Sequence, residues 1–334
     1  MLLVTGGAGF IGGTFVRRWL ARHQEPVIVL DALTYAADAA AVDDLPGATL
    51  VVGDIRDHAT VTSLLAAHRP RAVVHFAAET HVDRSIAGPS AFIETNVLGT
   101  FQLLEAVRAH LETLAPTDRS AFRLLAVSTD EVYGDWADRG EAAQSKGAVE
   151  GDAYAPSSPY AASKASADHL VRAWARTFGI PSIVTACSNN YGPRQYPEKL
   201  IPVVIRAALA GHPLPVYGDG QQVRDWLHVD DHCDALITVL EAGTIGATYH
   251  IGGGVAVTNL DLVRRICGQL DDLRPRSDGR SYATQLAFVA DRPGHDRRYA
   301  LDASRLMREL GWRPRVAFDQ GLRSTVAWYL ERAR

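Results

Sequence analysis

The chain has 334 residues, of which 22% are charged, and its formal net charge is −4. Its lysines and arginines are spread along the sequence, so neither a nucleic acid nor a membrane surface is indicated as a partner. No apolar run reaches the roughly 20 residues of a membrane span, and the first predicted strand follows Met1 directly, so we expect a cytoplasmic, two-lobed globular protein without a signal peptide.

A glycine-rich stretch over residues 4–12 joins the first predicted strand to a helix. Its spacing is G-x-x-G-x-x-G when read from Gly6 and G-x-G-x-x-G when read from Gly7. Glycine permits the tight turn, the approach of backbone N–H groups to a pyrophosphate and the close contact of helix with strand. The helix also presents its N-terminus to the phosphates. We therefore predict a dinucleotide site that contains Gly6, Gly9, Phe10, Ile11 and Gly12.

The second predicted strand, 27–31, ends in Asp31. An acidic side chain about 20 residues beyond the glycines hydrogen-bonds the adenosine ribose hydroxyls and repels a 2′-phosphate. The sequence therefore favours NAD over NADP as the cofactor. A tight turn followed by an incidental surface acid is the alternative, and the order of strand, glycine loop, helix, strand and acid disfavours it.

Short apolar strands and amphipathic helices alternate after Asp31, at 49–52, 59–68, 72–76, 91–110 and 122–127. This alternation predicts an α/β fold with a doubly wound parallel sheet, which binds ligands at the carboxyl ends of its strands. The polar segments 53–57 and 77–81 follow two of these strands, and Asp54 is placed to reach the adenine amino group. A helix N-cap and turn is the alternative interpretation of either segment.

The rest of the chain predicts two lobes. Residues 135–157 are polar and form a candidate lid, and a helix over 160–178 and a strand over 182–187 precede a break at 188–193. Residues 229–246 again have the pattern of a helix and a strand. We predict an NAD-binding lobe made of residues 1–189 and 228–250, and a smaller substrate lobe made of residues 190–227 and 251–334.

Tyr160 and Lys164 stand four residues apart, on one face of the predicted helix. A nearby ammonium and a positively charged nicotinamide would lower the pKa of the phenol, so that the tyrosinate takes a proton from a substrate hydroxyl while hydride leaves the same carbon. This spacing alone also fits an ordinary surface pair. The glycine loop upstream favours the catalytic interpretation.

The segment 127–134 lies at the end of the predicted fifth strand. Thr129 can share the substrate hydroxyl with Tyr160, while Asp130 and Glu131 place two carboxyls where alcohol oxidation alone needs none. Paired carboxyls can divide general acid and general base work if their environments separate their pKa values. An N-cap or a solvated acidic turn is the alternative.

With these motifs, the sequence resembles dTDP-glucose 4,6-dehydratases, which are nucleotide-sugar enzymes of the extended short-chain dehydrogenase family. The resemblance covers almost the whole chain, and the matching blocks are 5–12, 31–35, 77–86, 128–134, 158–174, 187–193, 198–202, 223–227 and 291–302. The Thr-Asp-Glu triplet at 129–131 is the specific part, because similar epimerases usually carry small or hydroxyl residues at the two acidic positions.

The resemblance implies a dehydration without net redox change. Tyr160 would deprotonate the C4 hydroxyl while NAD takes the C4 hydride, Glu131 would remove the C5 proton, and Asp130 would protonate the departing C6 hydroxyl before hydride returns to C6. Two other functions remain open. An NAD-dependent nucleotide-sugar 4-epimerase has no evident use for the acid pair, and a non-catalytic NAD-binding scaffold has no reason to keep the acid-base groups.

The resemblance also implies ligand contacts and an assembly. Further NAD contacts are Leu33, Thr34, Asp54, Ile55, Ala77, Ala78, Thr80, Thr95, Tyr160, Lys164 and Asn190. Contacts to a dTDP-sugar substrate are Thr80, Thr129, Asn189, Lys199, Leu200, Pro215, Tyr217, Arg224, Asn259, Arg292 and His295. A homodimer is expected through the helices near 91–110 and 160–178. Three positions depart from the family: Thr80 replaces a usual Ser, Gln222 replaces a frequent Asn, and Ala186, where Asn or Arg is common, alters the expected shape of the sugar pocket.

The sequence predicts no metal site. Residues 227–232 contain two histidines and two aspartates, but a strand that runs into a helix N-cap explains them more simply. Cys187, Cys233 and Cys267 are odd in number and far apart, which favours reduced, buried thiols over a disulfide framework or a zinc site.

Overall fold

The computed structural model describes residues 1–137 and 147–332. Its main sheet is built from β1 (Leu2–Thr5), β2 (Val27–Asp31), β3 (Ala48–Val52), β4 (Ala72–His75), β5 (Arg123–Thr129), β6 (Ser182–Cys187) and β10 (Thr248–Ile251). These seven strands are parallel and lie in the order β3-β2-β1-β4-β5-β6-β10. The strand order reverses between β1 and β4, so the carboxyl ends of these two strands frame the crevice in which open α/β sheets bind ligands.

Helices cover both faces of the sheet, because each connection between parallel strands has to cross over it. The helices are α1 (Phe10–His23), α2 (Ala40–Asp43), α3 (His58–His68), α4 (Val82–Ala87), α5 (Ser90–Phe92), α6 (Thr100–Glu112), α7 (Pro116–Ala121), α8 (Pro159–Phe178), α9 (Leu200–Leu209), α10 (Val229–Ala242), α11 (Asn259–Leu273), α12 (Ser304–Leu310) and α13 (Phe318–Arg332). A π-helical segment (Ile93–Gly99) joins α5 to α6, and 3-10 turns occupy Asp130–Tyr133 and Tyr282–Gln285. This architecture confirms the predicted doubly wound parallel sheet.

Two apolar layers enclose the sheet. On one face, α1 and α10 bury side chains that include Phe15, Trp19 and Leu236 against the strands. On the opposite face, α3, α6 and α8 contribute side chains that include Leu65 and Leu104. Burial on both faces explains why the strands are continuous apolar runs rather than alternating ones.

The second lobe is built around two small sheets. One contains β7 (Asn189–Tyr191), β9 (Val223–His228) and β11 (Ala256–Thr258) in the order β11-β9-β7, and the other pairs β8 (Leu214–Tyr217) with β12 (Leu286–Val289). Its core is formed largely by α9, α11 and α13, through side chains that include Ile205, Ile266 and Val326. Because β9 leads directly into α10, the second lobe is held close to the carboxyl edge of the main sheet.

Some predicted elements differ from the structure. The strand expected within 229–246 is β10, which lies beyond this range because a turn at Gly246, whose φ is +79°, follows α10. The helix expected over 91–110 contains the π-helical segment. Residues 138–146 of the candidate lid lie outside the described residues. Further along the same segment, a parallel bridge joins Ala148 to Leu301.

The C-terminal part of the chain contributes to both cores. Leu306 of α12 and the following Trp312 are buried in the core of the main sheet, although the sequence assigned residues 251–334 to the smaller lobe. The reason is that α12 packs on β10 and α10, at the edge of the sheet. The rest of the division into lobes stays a prediction. In the described parts of the chain, no helix is both long enough and apolar enough to cross a membrane.

Candidate active site

The glycine loop between β1 and α1 has no space for side chains. Gly6 has a φ of +71°, and a Cβ on it would lie 2.5 Å from the backbone nitrogen of Ala77. A Cβ on Gly12 would lie 2.2 Å from the carbonyl oxygen of Gly6. The loop therefore keeps its backbone accessible at the N-terminus of α1, which is the cradle that a dinucleotide pyrophosphate requires.

Asp31 is fixed at the end of β2 by two backbone N–H groups. Its carboxylate oxygens accept hydrogen bonds from Ala8 and Leu33, both at 2.9 Å. Burial raises the pKa of Asp31, and these two hydrogen bonds partly oppose that shift. The carboxylate is thereby held rigidly at the cavity wall, where the sequence places the adenosine ribose. Leu33 itself acts through this backbone contact, with a φ of +48°.

Asp54 follows β3 and is held by Arg56. Its Oδ1 accepts the backbone N–H of Arg56 at 2.8 Å, and its Oδ2 accepts the guanidinium at 2.7 and 3.0 Å. Burial raises the pKa of Asp54, but the hydrogen bonds from Arg56 outweigh it and the net shift is downward. Asp54 therefore remains an ionised acceptor at the far end of the crevice.

A cavity of about 420 Å³ opens at the crevice. Most of the sequence-predicted site residues line it: Gly6, Gly9, Phe10, Ile11, Gly12, Asp31, Thr34, Asp54, Ile55, Ala77, Ala78, Thr80, Thr95, Thr129, Asp130, Glu131, Tyr160, Lys164, Asn189, Asn190 and Lys199. Eight predicted residues lie outside its lining: Leu33, Leu200, Pro215, Tyr217, Arg224, Asn259, Arg292 and His295. The fold thus gathers nearly all the predicted cofactor residues at the cavity, whereas most of the predicted second-lobe residues lie outside its lining.

Tyr160 and Lys164 lie in the first turns of α8. The helix begins where Ser158 accepts a hydrogen bond from Ala161 N, and Pro159 occupies the first helical position. Tyr160 is 8% exposed, while Lys164 Nζ donates to the carbonyl oxygen of Val127 at 2.9 Å.

The electrostatics of this pair differ from the sequence expectation. Burial, with the charge of Glu131 added, raises the pKa of Tyr160 well above its ordinary value, whereas the sequence predicted that Lys164 and a positively charged nicotinamide together lower it. The reason is that Lys164 points at a backbone carbonyl and is itself buried, which lowers its own pKa. Activation of the phenol therefore depends on the positive charge that a bound nicotinamide brings.

The two acidic residues follow β5 in a 3-10 turn and occupy different environments. Asp130 is 4% exposed; its Oδ1 accepts from Thr129 Oγ1 at 3.2 Å, and its Oδ2 is buried without a hydrogen-bond partner among the described residues. Burial and the neighbouring charge of Glu131 raise the pKa of Asp130 well above its ordinary value. The shift of Asp130 is therefore in the direction that a general acid requires.

Glu131 has three cations around it. Burial raises its pKa, but the charges of Arg292, Arg224 and Lys199 oppose that shift. The pKa of Glu131 is thus raised less than that of Asp130, and such a separation is the condition for one carboxyl to serve as an acid and the other as a base.

Comparison with known proteins places these residues in a family. A family model described as GDP-mannose 4,6 dehydratase matches residues 3–325. A dTDP-glucose 4,6-dehydratase of Xanthomonas campestris pv. campestris is 57% identical over 331 residues, which cover 98% of this chain and 92% of that protein. The chain belongs to the dTDP-glucose 4,6-dehydratase family. The resemblance predicted from the sequence is thereby confirmed.

The structural comparison agrees with this family. A Streptomyces venezuelae dTDP-glucose 4,6-dehydratase, in a crystal structure that also contains NAD, has a TM-score of 0.87 and 48% identity and covers 99% of this chain and 97% of its own. A Thermus thermophilus UDP-glucose 4-epimerase with NAD has a TM-score of 0.84 and 30% identity, with 98% of each chain covered. Since an epimerase shares the fold, the side chains of the site have to distinguish the two activities.

The dehydratase-family residues of the second lobe make contacts across the cleft. Lys199 Nζ donates to the carbonyl oxygen of Thr80 at 2.9 Å, and Arg292 Nη1 lies 3.2 Å from a carboxylate oxygen of Asp83 on α4. The Tyr217 hydroxyl lies 3.5 Å from the same carboxylate. The other predicted substrate residues are placed as follows: Arg224 donates to the carbonyl of Asp296, His295 contacts Asp291, Pro215 lies on β8, and Leu200 and Asn259 begin α9 and α11.

Sequence reasoning missed two residues beside the catalytic groups. The Tyr299 hydroxyl lies 3.5 Å from a carboxylate oxygen of Glu131. No local sequence pattern predicts this contact, because the two residues are far apart in the chain. Asp168 is fully buried and accepts hydrogen bonds from Ser128 at 2.7 Å and Tyr154 at 2.9 Å. Its position four residues after Lys164, on the same helix face, was a usable signal.

The segment that resembles a metal site has another role in the structure. His228 is the N-cap of α10, and Asp231 accepts hydrogen bonds from the backbone nitrogens of Arg315 and Val316. Within residues 1–137 and 147–332, no cluster of three or more His, Cys, Asp or Glu side chains is arranged to hold a metal ion.

Proposed function

We propose that this chain converts dTDP-glucose to dTDP-4-keto-6-deoxyglucose with NAD as its cofactor. The observation that carries this proposal is the pair Asp130 and Glu131. Burial raises both pKa values, that of Asp130 well above its ordinary value and that of Glu131 less, because three cations oppose the shift of Glu131. An epimerase that only oxidises and reduces C4 needs no such pair, whereas removal of water from C5 and C6 needs both an acid and a base.

The residues divide the reaction as follows. NAD, when bound, supplies the acceptor for the C4 hydride and the donor that returns it to C6. Tyr160 takes the proton of the C4 hydroxyl, which Thr129 helps to hold. The C4 ketone makes the C5 proton acidic, Glu131 removes that proton, and Asp130 donates its proton to the C6 hydroxyl, which leaves as water. C5 then regains a proton as C6 receives hydride, so no net redox change occurs.

The binding residues are proposed in two groups. NAD is held by the glycine loop, by Asp31 and Asp54 along the adenosine, and by Lys164 beside the nicotinamide. The diphosphate of the substrate is held by Lys199, Arg224 and Arg292, because ammonium and guanidinium groups are the donors that phosphate requires. Asn189, Tyr217, Asn259 and His295 complete the nucleotide site.

Product analysis tests the proposed activity. The purified protein is incubated with dTDP-glucose and NAD, and the sugar is analysed by NMR and mass spectrometry. We expect loss of one water, a C4 ketone and a C6 methyl group. A C4 epimer of unchanged mass would establish the epimerase instead, and an unchanged sugar would indicate a non-catalytic NAD-binding protein.

Asp31 is expected to set the preference for NAD. Its carboxylate should repel a 2′-phosphate, so that the protein binds NAD more tightly than NADP. Asp31→Asn should reduce this preference for NAD by at least about tenfold. Titration calorimetry with both dinucleotides measures the ratio, and Asp44→Asn after α2 is the control. Equal binding of NAD and NADP by the unaltered protein would contradict the assignment.

We also infer a homodimer formed through α6, α8 and the π-helical segment before α6. Ile93 and Leu98 support this, because these large apolar side chains are 45% and 51% exposed there. Light scattering at micromolar concentration should give twice the mass of one chain, and Leu98→Arg should reduce it. Phe288→Arg, at an apolar side chain that is 60% exposed on the second lobe, is the control. A monomeric unaltered protein would rule the dimer out.

The remaining parts of the proposal concern the cellular location of the protein and its partners. We infer a cytoplasmic location and no requirement for a nucleic-acid partner. The formal net charge of −4, without a basic cluster, supports the second inference.

A further inference from the structure

Three side chains from three separate segments meet beside the cavity. Tyr35 follows β2, Arg84 lies on α4, and Glu198 precedes α9. The Tyr35 hydroxyl donates to Glu198 Oε1 at 3.2 Å, and the guanidinium carbon of Arg84 lies 3.5 Å from the centroid of the Tyr35 ring. Arg84 Nε is 3.6 Å from Glu198 Oε2. Each member therefore contacts the other two.

This cluster connects two walls of the cavity. The neighbours of Tyr35 in sequence, Thr34 and Ala36, line the cavity on the side of Asp31. Glu198 and the adjacent Lys199 line it from the second lobe. The contact between Tyr35 and Glu198 therefore joins the wall beside Asp31, where the adenosine would lie, to the opposite wall of the cavity.

The contacts depend on one another. The Glu198 side chain is 12% exposed, and its Oε2 is buried with no hydrogen-bond partner among the described residues, so the charge of Arg84 compensates it. Arg84 in turn is positioned by the face of the Tyr35 ring, which attracts a cation. Tyr196 packs its ring against Tyr35 edge-on, with centroids 5.5 Å apart. Removing one member leaves a buried carboxylate poorly compensated, which favours opening of the whole connection.

We propose that Tyr35, Arg84 and Glu198 form an interlobe latch that slows the escape of NAD from the cleft. The inference rests on the proposed function, since it takes NAD as the cofactor. The reaction regenerates NAD at the end of every cycle, so the cofactor has no need to exchange between turnovers. A latch that keeps it in place would also prevent its loss while it is reduced and the sugar is still a ketone.

Release of NAD from the protein alone tests the latch. Purified protein is loaded with radiolabelled NAD, chased with an excess of unlabelled NAD, and sampled over time by rapid filtration, without any sugar present. Tyr35→Phe removes only the hydroxyl, and Arg84→Met removes the guanidinium. We expect each to raise the dissociation rate on the order of tenfold, which is what the loss of one hydrogen bond or cation–π contact allows. The double variant should exceed either single variant only slightly, because the contacts are interdependent.

Arg265→Met is the matched control. Like Arg84, Arg265 pairs with a carboxylate, that of Asp319 at 2.9 Å, and its guanidinium carbon lies 5.8 Å from the ring centroid of Phe318. It lies on the second lobe, away from the cavity. Its NAD dissociation rate should equal that of the unaltered protein. Equal melting temperatures of the variants without NAD would show that the fold is retained, and Tyr35→Phe carries the test by itself if Arg84→Met is unstable.

One result would overturn the proposal. If both variants released NAD at the unaltered rate, the contacts of Tyr35 and Arg84 with Glu198 would not retain the cofactor. The result is independent of the proposed activity, because NAD release is measured without the sugar. Failure of the unaltered protein to form the keto sugar would reject the activity and leave the release measurements unchanged.

Discussion

Glu131→Gln is expected to slow dehydration by roughly 10²- to 10⁴-fold, the usual effect of losing a general base. The amide keeps the size and hydrogen-bonding reach of the carboxylate, so the sugar should still bind. Oxidation at C4 depends on Tyr160 and should survive. The C5 proton, however, would have no base to take it, and the reaction should stop at the C4 ketone with the nicotinamide reduced.

Two signals measured in a single turnover separate these steps. After mixing with dTDP-glucose, near-ultraviolet absorbance follows reduction of the nicotinamide, and mass spectrometry follows solvent deuterium that enters C5. The variant should show lasting reduction and little deuterium, while the unaltered protein shows the reverse. Glu241→Gln, in the exposed ion pair with Arg22, is the control. Dehydration at the unaltered rate would remove Glu131 as the base, and loss of C4 oxidation would show that it chiefly positions the sugar.

Tyr160→Phe is expected to lower the rate of C4 oxidation by a similar factor, roughly 10²- to 10⁴-fold, because the proton of the C4 hydroxyl then has no acceptor. The ring would still fill the pocket against Phe92, whose centroid lies 6.2 Å away, so binding of NAD should be retained. Unlike Glu131→Gln, this variant should show neither lasting reduction nor deuterium at C5. Reduction of the nicotinamide occurs together with formation of the ketone, and exchange at C5 requires the ketone.

The same single-turnover experiment measures this variant. Tyr282→Phe is the matched control, because Tyr282 is also buried and its hydroxyl donates to the carbonyl of Arg274 at 3.0 Å, far from the cleft. Its rates should match those of the unaltered protein. If Tyr160→Phe reduced the nicotinamide at an unaltered rate, another group would have to be the base for the C4 hydroxyl.

Local patterns were enough to predict much of this protein. The strands 27–31 and 182–187 have the bounds expected from their apolar runs, because a strand buried on both faces leaves a continuous signal. The glycine loop was predictable for a steric reason, since a Cβ at Gly6 or Gly12 would meet the backbone. The acid pair at 130–131 stood out because neighbours in sequence remain neighbours in space.

Only the tertiary structure determined the pKa shifts of the site residues and the contacts that connect the two walls of the cavity. The sequence predicted that Lys164 and a positively charged nicotinamide lower the pKa of Tyr160. Without the nicotinamide, burial determines the direction of the shift, and burial depends on how α8 packs against β5. Asp130 and Glu131 are adjacent in sequence and differ because three second-lobe cations act on Glu131, whereas Arg224 alone of these acts on Asp130. Tyr299, the packing of α12 and the latch formed by Tyr35, Arg84 and Glu198 all join segments far apart in the chain. A sequence pattern reports a residue's neighbours along the chain, whereas these properties arise from the neighbours that folding brings together.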